Sequence, residues 1–335
     1  MIDGIPVFDC VIHVYDMSDA SLRDDEPTAE HARQHLVALN AASRMAPGNA
    51  GYELAKRWSP DEVHEAVFVR GLTDLAMAQT VPIYDWFTDW FAPVQAQYQM
   101  AQAYPDQVLF CGGVDPILQG VPEAVRQLEI QITEMGARSI KLYNGHIRGG
   151  WRCDDPAVAY PLYEKCQELG VDVIQFHKGS PFGMQNLEEL SPLDLQKAAR
   201  DFPDLNFIIH HAAIPFFEET VNIAGRFPNI YVAMSGIINF CLVAPRLVGE
   251  WMGKLLQQVG VNKILWGSEA ALQGSPRPFL EAFVRDFEIP EDLRVGYGYP
   301  QITQTDKELI LGGNFARLMG VDLDAAAAAE PAAAA

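Results

Sequence analysis

Eight short apolar runs, rich in β-branched and aromatic side chains, alternate along the chain with stretches of helical apolar spacing. A nearly continuous apolar run is typical of a parallel strand that helices cover on both faces. Eight such βα units favour a closed (β/α)₈ barrel, the TIM barrel, over an open doubly wound sheet. The predicted strands are residues 6–14, 75–79, 108–114, 139–143, 171–176, 206–210, 230–234 and 263–267.

We expect a single domain over residues 1–323, with helices between the strands and a closing helix at residues 303–319. Residues 15–59, after the first strand, are polar and only weakly periodic. So long an irregular stretch in a compact domain is usually functional, which predicts an insertion that acts as a lid, a substrate-binding element or an oligomer contact. Residues 324–335 are an Ala-rich, low-complexity tail that we expect to be disordered or frayed.

The composition excludes some classes of function. The chain of 335 residues carries 24 basic and 44 acidic residues, a formal net charge of −20, which disfavours binding to nucleic acid. No apolar stretch approaches the ~20 residues of a membrane helix, and no signal peptide is apparent. Five widely spaced cysteines without a CxxC motif indicate reduced thiols. We therefore expect a cytoplasmic protein that acts on a small molecule, without nucleic-acid or membrane partners.

Polar residues stand at the predicted carboxyl ends of several strands. They are His13, Lys141, His177, His211 and Glu269. In a barrel these strand ends surround one cavity, where the chemistry of such enzymes is placed. Three imidazoles and a carboxylate suit a divalent metal, with Zn²⁺ the first choice and Mn²⁺ the second. A bound metal would lower the pKa of its water toward ~7.

Each of these residues also has a structural interpretation. A single strand-end histidine is more often a hydrogen-bonded structural residue, and only the combination favours a site. Lys141 is either a cation that anchors substrate or an interior lysine paired with an acid. Because side chains alternate along a strand, only one of His210 and His211 should face the barrel mouth. We expect His211 to do so and His210 to pack between sheet and helix.

The remaining histidines are predicted to lie outside the site. His31, His35 and His64 are expected at the surface, whereas His146 follows the fourth strand and is a candidate for the pocket wall. An aromatic stretch at residues 84–91 either lines an apolar pocket or packs in the core, and its Asp85 or Asp89 is a candidate carboxyl group.

Four segments carry a resemblance to a known family. They are Phe8-Asp-Cys-Val-Ile-His13, Phe176-His-Lys-Gly179, Ile209-His-His-Ala212 and Leu265-Trp-Gly-Ser-Glu269. In combination they resemble the successive signatures of the amidohydrolase superfamily, in the amidohydrolase 2 branch that includes aminocarboxymuconate-semialdehyde decarboxylase and γ-resorcylate decarboxylase. The resemblance extends from about residue 6 to residue 320.

The resemblance implies a barrel with one metal ion held by an H-x-H pair on strand one, a histidine on strand five and an aspartate on strand eight. Carried over, His13, His177 and Glu269 are the implied metal ligands, and His211 is the implied strand-six histidine that acts on the metal-bound water. Two positions depart from the pattern. Val11 replaces the first histidine, and Glu269 is one methylene longer than aspartate. A ligand set of two histidines and one carboxylate still suits a catalytic metal.

Three hypotheses for the function remain open. The first is a metal-dependent hydrolase or non-oxidative decarboxylase for a small aromatic or carboxylated molecule, with His211, Glu269 and Lys141 as catalytic residues. The second, motivated by Val11 and Glu269, is a non-catalytic barrel that serves as a structural or regulatory subunit of a related enzyme. The third is a metal-independent enzyme that uses His177, His211 and Glu269 for acid–base catalysis. A homodimer or an assembly with a related subunit is expected.

Overall fold

Eight parallel strands form one sheet in the order β1 to β8. The computed structural model describes residues 1–41, 46–49 and 52–328 of the chain. The strands are β1 (Phe8–Ile12), β2 (Leu75–Gln79), β3 (Val108–Gly113), β4 (Ser139–Tyr143), β5 (Val173–His177), β6 (Asn206–Ile209), β7 (Ile230–Ala233) and β8 (Ile264–Leu265). Between β8 and β1, the Cys10 amide donates to the Trp266 carbonyl and the His13 amide donates to the Ala270 carbonyl. The predicted TIM barrel is confirmed.

Helices follow the strands around the outside of the barrel. They are α1 (Ala29–Leu39), α2 (Pro60–His64), α3 (Val94–Ala103), α4 (Pro116–Gln119), α5 (Val121–Thr133), α6 (Tyr160–Glu168), α7 (Leu195–Asp201), α8 (Phe217–Arg226), α9 (Pro245–Gln258), α10 (Arg277–Glu281), α11 (Glu291–Tyr297), α12 (Gln304–Glu308), α13 (Asn314–Met319) and α14 (Leu323–Ala328). Helix α2 begins with a capping box, in which Ser59 and Glu62 satisfy one another's backbone amides. None of the described helices combines the length and the apolar character needed to cross a membrane.

The predicted closing helix is present as α12 and α13, which a five-residue π-helical turn, Leu309–Gly313, joins without a break. Phe315 on α13 packs edge-on against Phe8 of β1, with ring centroids 4.7 Å apart. Both rings belong to the apolar cluster that fills the lower part of the barrel. The polar ends of the strands therefore lie at the opposite, carboxyl-terminal mouth.

Two expectations about irregular segments are corrected. The insertion at residues 15–59 contains an 11-residue α-helix, α1, although its sequence showed little periodicity. The N-terminal part of the expected tail is also helical, since α14 spans Leu323–Ala328. Residues 42–45 and 50–51 of the insertion, and 329–335 of the tail, lie outside the described residues.

An Asp–His–Asp cluster, formed by Asp85, His146 and Asp115, joins the loops that follow β2, β3 and β4. His146 Nδ1 lies 3.0 Å from Asp85 Oδ2, and Nε2 lies 2.8 Å from Asp115 Oδ2. All three side chains are buried. Burial alone would lower the pKa of His146, but the hydrogen bonds to both carboxylates raise it to about 9. The ring is therefore an imidazolium at neutral pH, with each N–H donating to one carboxylate.

We expect His146 to make the stability of the barrel depend on pH. A histidine whose pKa rises on folding contributes stability that is complete below its unfolded pKa of about 6.5 and is lost as the pH rises through about 9. His146→Gln should lower the free energy of unfolding by about 3 to 5 kcal/mol at pH 6, because it leaves two buried carboxylates without their partner. Urea unfolding of both proteins between pH 6 and 10 measures the difference. If the free energies of unfolding of the wild type and the variant change with pH in the same way, the expected role of His146 is contradicted.

Candidate metal centre and active site

His13 and Glu269 meet where the first and last strands of the barrel adjoin. His13 Nε2 lies 3.3 Å from Glu269 Oε2, and both side chains are buried. The other ring nitrogen, Nδ1, is 2.7 Å from the carbonyl oxygen of Gln79 at the end of β2. Because a carbonyl can only accept, Nδ1 carries a proton. The other ring nitrogen, Nε2, then faces the carboxylate.

His177 and His211 form a second pair on the neighbouring strands β5 and β6. His211 Nε2 lies 3.1 Å from His177 Nδ1. Nε2 of His177 is 3.0 Å from the Ser180 carbonyl oxygen, and Nδ1 of His211 is 3.0 Å from the Ser235 carbonyl oxygen. Both N–H groups are thus committed to carbonyls, so two nitrogen lone pairs face each other at 3.1 Å.

Burial lowers the pKa of both rings. The pKa of His177 lies well below its usual value, and burial also lowers that of His211, although nearby Glu269 opposes the shift. Both rings are therefore neutral at pH 7. Glu269 connects the two pairs, since its Oε1 lies 3.9 Å from His211 Nδ1 and has no hydrogen-bond partner among the described residues.

Glu269 is ionised within this buried site. Burial alone would raise the pKa of Glu269, but His211, His13 and Lys141 lower it to about 2. His177 Nδ1 and His211 Nε2 thus face each other as lone pairs, and His13 Nε2 faces the ionised Glu269 carboxylate. The contact between the two ring lone pairs is repulsive unless a cation lies beside them. Metal-bound histidines characteristically donate their other N–H to a carbonyl or carboxylate, as all three rings do here. The residues fit a divalent metal.

The turn after β6 overturns the expectation for His210. His211, Ala212 and Ala213 adopt left-handed backbone conformations, with φ of 55°, 45° and 50°. Strand alternation therefore stops at Ile209, and both histidine rings face the barrel interior. The prediction that His210 packs between sheet and helix is wrong.

His210 supports the site from below. Its Nε2 lies 2.8 Å from Gln175 Oε1 and its Nδ1 lies 3.0 Å from Ser235 Oγ. Ligand atoms of His210, His211 and Glu269 lie within 4.8 Å of one another, so geometry alone makes them a possible metal-binding group. Because both nitrogens of His210 are already hydrogen-bonded, His210 is a weaker candidate ligand than His13 and His177.

A bulge in β1 changes the side-chain pattern near the missing ligand. The pairing of β1 with β2 is irregular between Asp9 and Ile12. Val11 and Cys10, although adjacent in the chain, both belong to the barrel-interior cluster. A Cβ built on Gly267 would lie 2.5 Å from Val11 Cγ1. Val11 therefore packs closely against the backbone that follows β8 and contributes no metal ligand.

Lys141 is a buried cation beneath the site. Its side chain is 1% exposed, lies over the Tyr143 ring and makes no hydrogen bond or ion pair with the described residues. Burial lowers its pKa to about 8, although Glu269 stabilises the charge. Lys141 does not line the cavity that opens onto His211 and Glu269. This placement favours the interpretation of Lys141 as an interior lysine that balances an acid. It does not favour a role as a cation that anchors substrate.

A cavity of about 360 Å³ opens onto His211 and Glu269. Its wall is largely apolar and comes from the loops after β5, β6, β7 and β8 and from helix α1. The apolar lining residues are Leu39, Pro181, Phe182, Ile214, Pro215, Ile237, Phe240 and Leu272. The site can therefore accept a small molecule that has an apolar body and a polar end.

The polar residues of the cavity wall that the sequence analysis missed include His35 and Gln273. His35 was expected at the surface because nothing in the sequence indicated that α1 reaches the barrel mouth. Gln273 follows Glu269 on an irregular loop and matched no motif.

The aromatic stretch does not line this cavity. Trp86, Phe87 and Phe91 belong to a buried cluster between the insertion and the barrel. Asp89 is exposed, whereas Asp85 is bound to His146 in the Asp–His–Asp cluster. The candidate pocket roles of these residues and of His146 therefore find no support in the position of the cavity.

Solved structures similar to the chain share its fold. One is 5-carboxyvanillate decarboxylase LigW from Sphingomonas paucimobilis, with 15% identity, a TM-score of 0.59 and coverage of 95% of this chain and 100% of that one. A probable 2-pyrone-4,6-dicarboxylic acid hydrolase from Acinetobacter baumannii has 12% identity and a TM-score of 0.56, covering 94% and 100%. The decarboxylase LigW2 from Novosphingobium aromaticivorans, solved with bound manganese, has 14% identity and a TM-score of 0.57, covering 95% and 98%.

Sequence comparison gives a family but no individual relative. No curated protein matches the chain. The family model described as amidohydrolase matches residues 9–321, which include β1 except Phe8, all of β2 to β8 and every residue of the candidate site. The chain belongs to the amidohydrolase family of enzymes.

Proposed function

We propose that the protein is a metal-dependent enzyme that removes CO₂ from a small carboxylated molecule with an apolar body. The observation that carries the metal dependence is the pair of facing ring nitrogens on β5 and β6, in a site that also holds the ionised Glu269. His13 Nε2 faces Glu269 Oε2 at 3.3 Å, and His177 Nδ1 faces His211 Nε2 at 3.1 Å. A divalent cation held by His177 and Glu269 would relieve the repulsion between the two ring lone pairs.

The residues that would hold the metal are His13, His177 and Glu269, with His211 beside them as the acid–base residue. Nitrogen and carboxylate ligands suit Zn²⁺, and Mn²⁺ is the alternative, as found in LigW2. When bound, the metal supplies a positive charge that neutralises the substrate carboxylate and an adjacent oxygen. Val11 packs as an apolar residue and supplies no ligand, so three protein ligands would hold the metal.

The apolar cavity favours decarboxylation over hydrolysis. Loss of CO₂ leaves an electron pair on carbon, and this step is helped when the carboxylate is removed from water. His211 Nε2 carries a lone pair and Nδ1 is held by the Ser235 carbonyl. We assign to Nε2 the removal of a proton from an acidic group of the substrate. The same nitrogen then returns that proton to the carbon from which CO₂ leaves.

The non-catalytic alternative explains the site less well. A barrel that had lost its function would have no need for three tautomer-fixing carbonyl contacts around an ionised, partly unpaired Glu269. The five cysteines are free and buried, which supports the proposed cytoplasmic location. A homodimer, or an assembly with a related subunit, remains our proposal for the quaternary structure.

We expect the purified protein to bind about one divalent metal per chain and Glu269→Gln to weaken that binding. The loss should be at least about a hundredfold in affinity, because changing even the outer partners of metal ligands costs ~10–100-fold. Competition with a chromogenic chelator measures the affinity for Zn²⁺ and Mn²⁺. Glu308→Gln, an exposed acid on the closing helix, is the matched control. Equal affinity of E269Q and wild type would contradict the proposed site.

The metal-loaded enzyme should release CO₂ from a carboxylated aromatic acid and place one solvent deuterium on the product when the reaction runs in D₂O. We would offer 5-carboxyvanillate, the acid in the names of LigW and LigW2, and follow the product by NMR. His211→Asn should lower kcat by roughly 10²–10⁴-fold, the usual contribution of a general acid–base residue. Ring opening of 2-pyrone-4,6-dicarboxylate without any CO₂ release would instead support the hydrolase.

Lys141→Met should destabilise the metal-free protein, and metal should restore more stability to this variant than to the wild type. Without Lys141 the buried Glu269 carboxylate loses the coulombic stabilisation of a nearby cation. The same change removes a cation that repels the metal, so the affinity for metal should rise. Thermal unfolding with and without Mn²⁺ measures both effects. A metal-induced rise in Tm equal to that of the wild type would contradict the coupling.

A further inference from the structure

His35 on helix α1 offers a fixed hydrogen-bond donor to the cavity. Its Nδ1 lies 3.0 Å from the backbone nitrogen of Gly183, whose N–H can only donate. Nδ1 therefore accepts, and the proton of the ring is on Nε2. The described residues provide no acceptor for this N–H, and the ring is part of the cavity wall. Of the two ring nitrogens of His35, only the donor Nε2 is available to a ligand.

The packing of α1 holds this ring in place. Gly183 has φ of +50°, and a Cβ built on it would lie 2.9 Å from Trp86 and 3.0 Å from Ala32 of α1. Trp86 Nε1 in turn donates to Thr28 Oγ1 at the start of the helix, at 3.1 Å. The helix, the loop after β5 and the His35 ring are thus packed against one another. The donor is positioned before any ligand arrives.

Gln273 offers a second fixed donor by a chain of hydrogen bonds. The Ser268 carbonyl accepts from Asn239 Nδ2 at 3.0 Å, which establishes that this Asn239 atom is a nitrogen. The same Nδ2 lies 2.9 Å from Gln273 Oε1, which must therefore accept. The other terminal atom of Gln273 is the Nε2 amide. It has no acceptor among the described residues and belongs to the same cavity wall.

Gln273 Nε2 lies close to the proposed metal centre. A Cβ built on Gly236 would be 2.9 Å from Gln273 Nε2 and 3.0 Å from Glu269 Cγ. Gly236 has φ of +70°, so a glycine is favoured there on backbone grounds too. The absence of a side chain at this position leaves the amide and the carboxylate side by side. One donor is therefore near Glu269 and the other is on α1.

We propose that Gln273 and His35 are specificity-determining residues. Their Nε2 donors bind a carboxylate of the ligand, and this carboxylate is separate from the group held at the metal centre. Each has its acceptor atom occupied by the protein, so each can recognise only an acceptor. A carboxylate offers two acceptor oxygens, and its hydrogen bonds are stronger than those of a neutral carbonyl. The inference rests on the proposed function in taking this cavity as the substrate site.

Binding of a matched set of acids tests the inference without turnover. Isothermal titration calorimetry of the Mn²⁺-loaded protein would compare benzoate with phthalate, isophthalate and terephthalate, which differ only in a second carboxylate and its position. At least one dicarboxylate should bind roughly tenfold more tightly than benzoate, the size expected for hydrogen bonds to a charged group.

Two variants remove the donors while preserving the contacts that hold them. Gln273→Glu keeps an oxygen for Asn239 and replaces the amide by an acceptor. His35→Asn keeps an oxygen for the Gly183 amide and removes the distal N–H. Each should reduce the preference for the dicarboxylate to about twofold or less, taken as the ratio of dicarboxylate to benzoate affinity in the same variant. His31→Asn, an exposed histidine on the same helix, is the control and should retain the full preference.

Two outcomes would overturn the inference: no dicarboxylate preference in the wild type, or a preference that survives in both variants. The metal content of the same samples separates this failure from failure of the proposed function. Full metal content with no dicarboxylate preference contradicts the roles of His35 and Gln273 alone. If the protein holds no metal, the titrations on metal-free protein should still show the difference between wild type and the two variants, because the donors belong to the cavity wall.

Discussion

The candidate site depends on three hydrogen bonds from histidine rings to backbone carbonyls. Each fixes which ring nitrogen carries a proton, and therefore which nitrogen faces the neighbouring side chain of the site. The pairs are His13 with Gln79, His177 with Ser180 and His211 with Ser235. Because the carbonyls belong to strand ends and tight loops, the barrel backbone itself determines the chemistry that the rings can perform.

Charge balance in the barrel follows from this arrangement. His177 and His211 have lowered pKa values and carry no charge to compensate the buried carboxylate, and the nearby buried cation, Lys141, makes no ion pair with Glu269 among the described contacts. The local backbone also carries strain, since both His211 and Glu269 have positive φ. Strained residues that persist in a fold cluster at functional sites. The two residues assigned to proton transfer and metal binding are thus held by the surrounding structure against their local preference.

The sequence predicted the barrel and its mouth because βα periodicity and strand ends are local properties. It identified His13, His177, His211 and Glu269 by position along the strands, and the structure places them in one chain of contacts. It failed where the backbone departs from regular geometry. Alternation misplaced His210 because β6 ends one residue earlier than predicted. The sequence did not indicate a role for His35, because that role depends on where a weakly periodic helix packs.

The short last strand has a consequence for how the protein is made. β8 contains two residues, and the barrel is completed by hydrogen bonds that join the segment from Cys10 to His13 with the segment from Trp266 to Ala270. His13 and Glu269 lie on the two sides of this junction. During synthesis the first of them leaves the ribosome more than 250 residues before the second. A complete set of ligands therefore cannot assist the early steps of folding, and metal can enter only a barrel whose final unit has been synthesised.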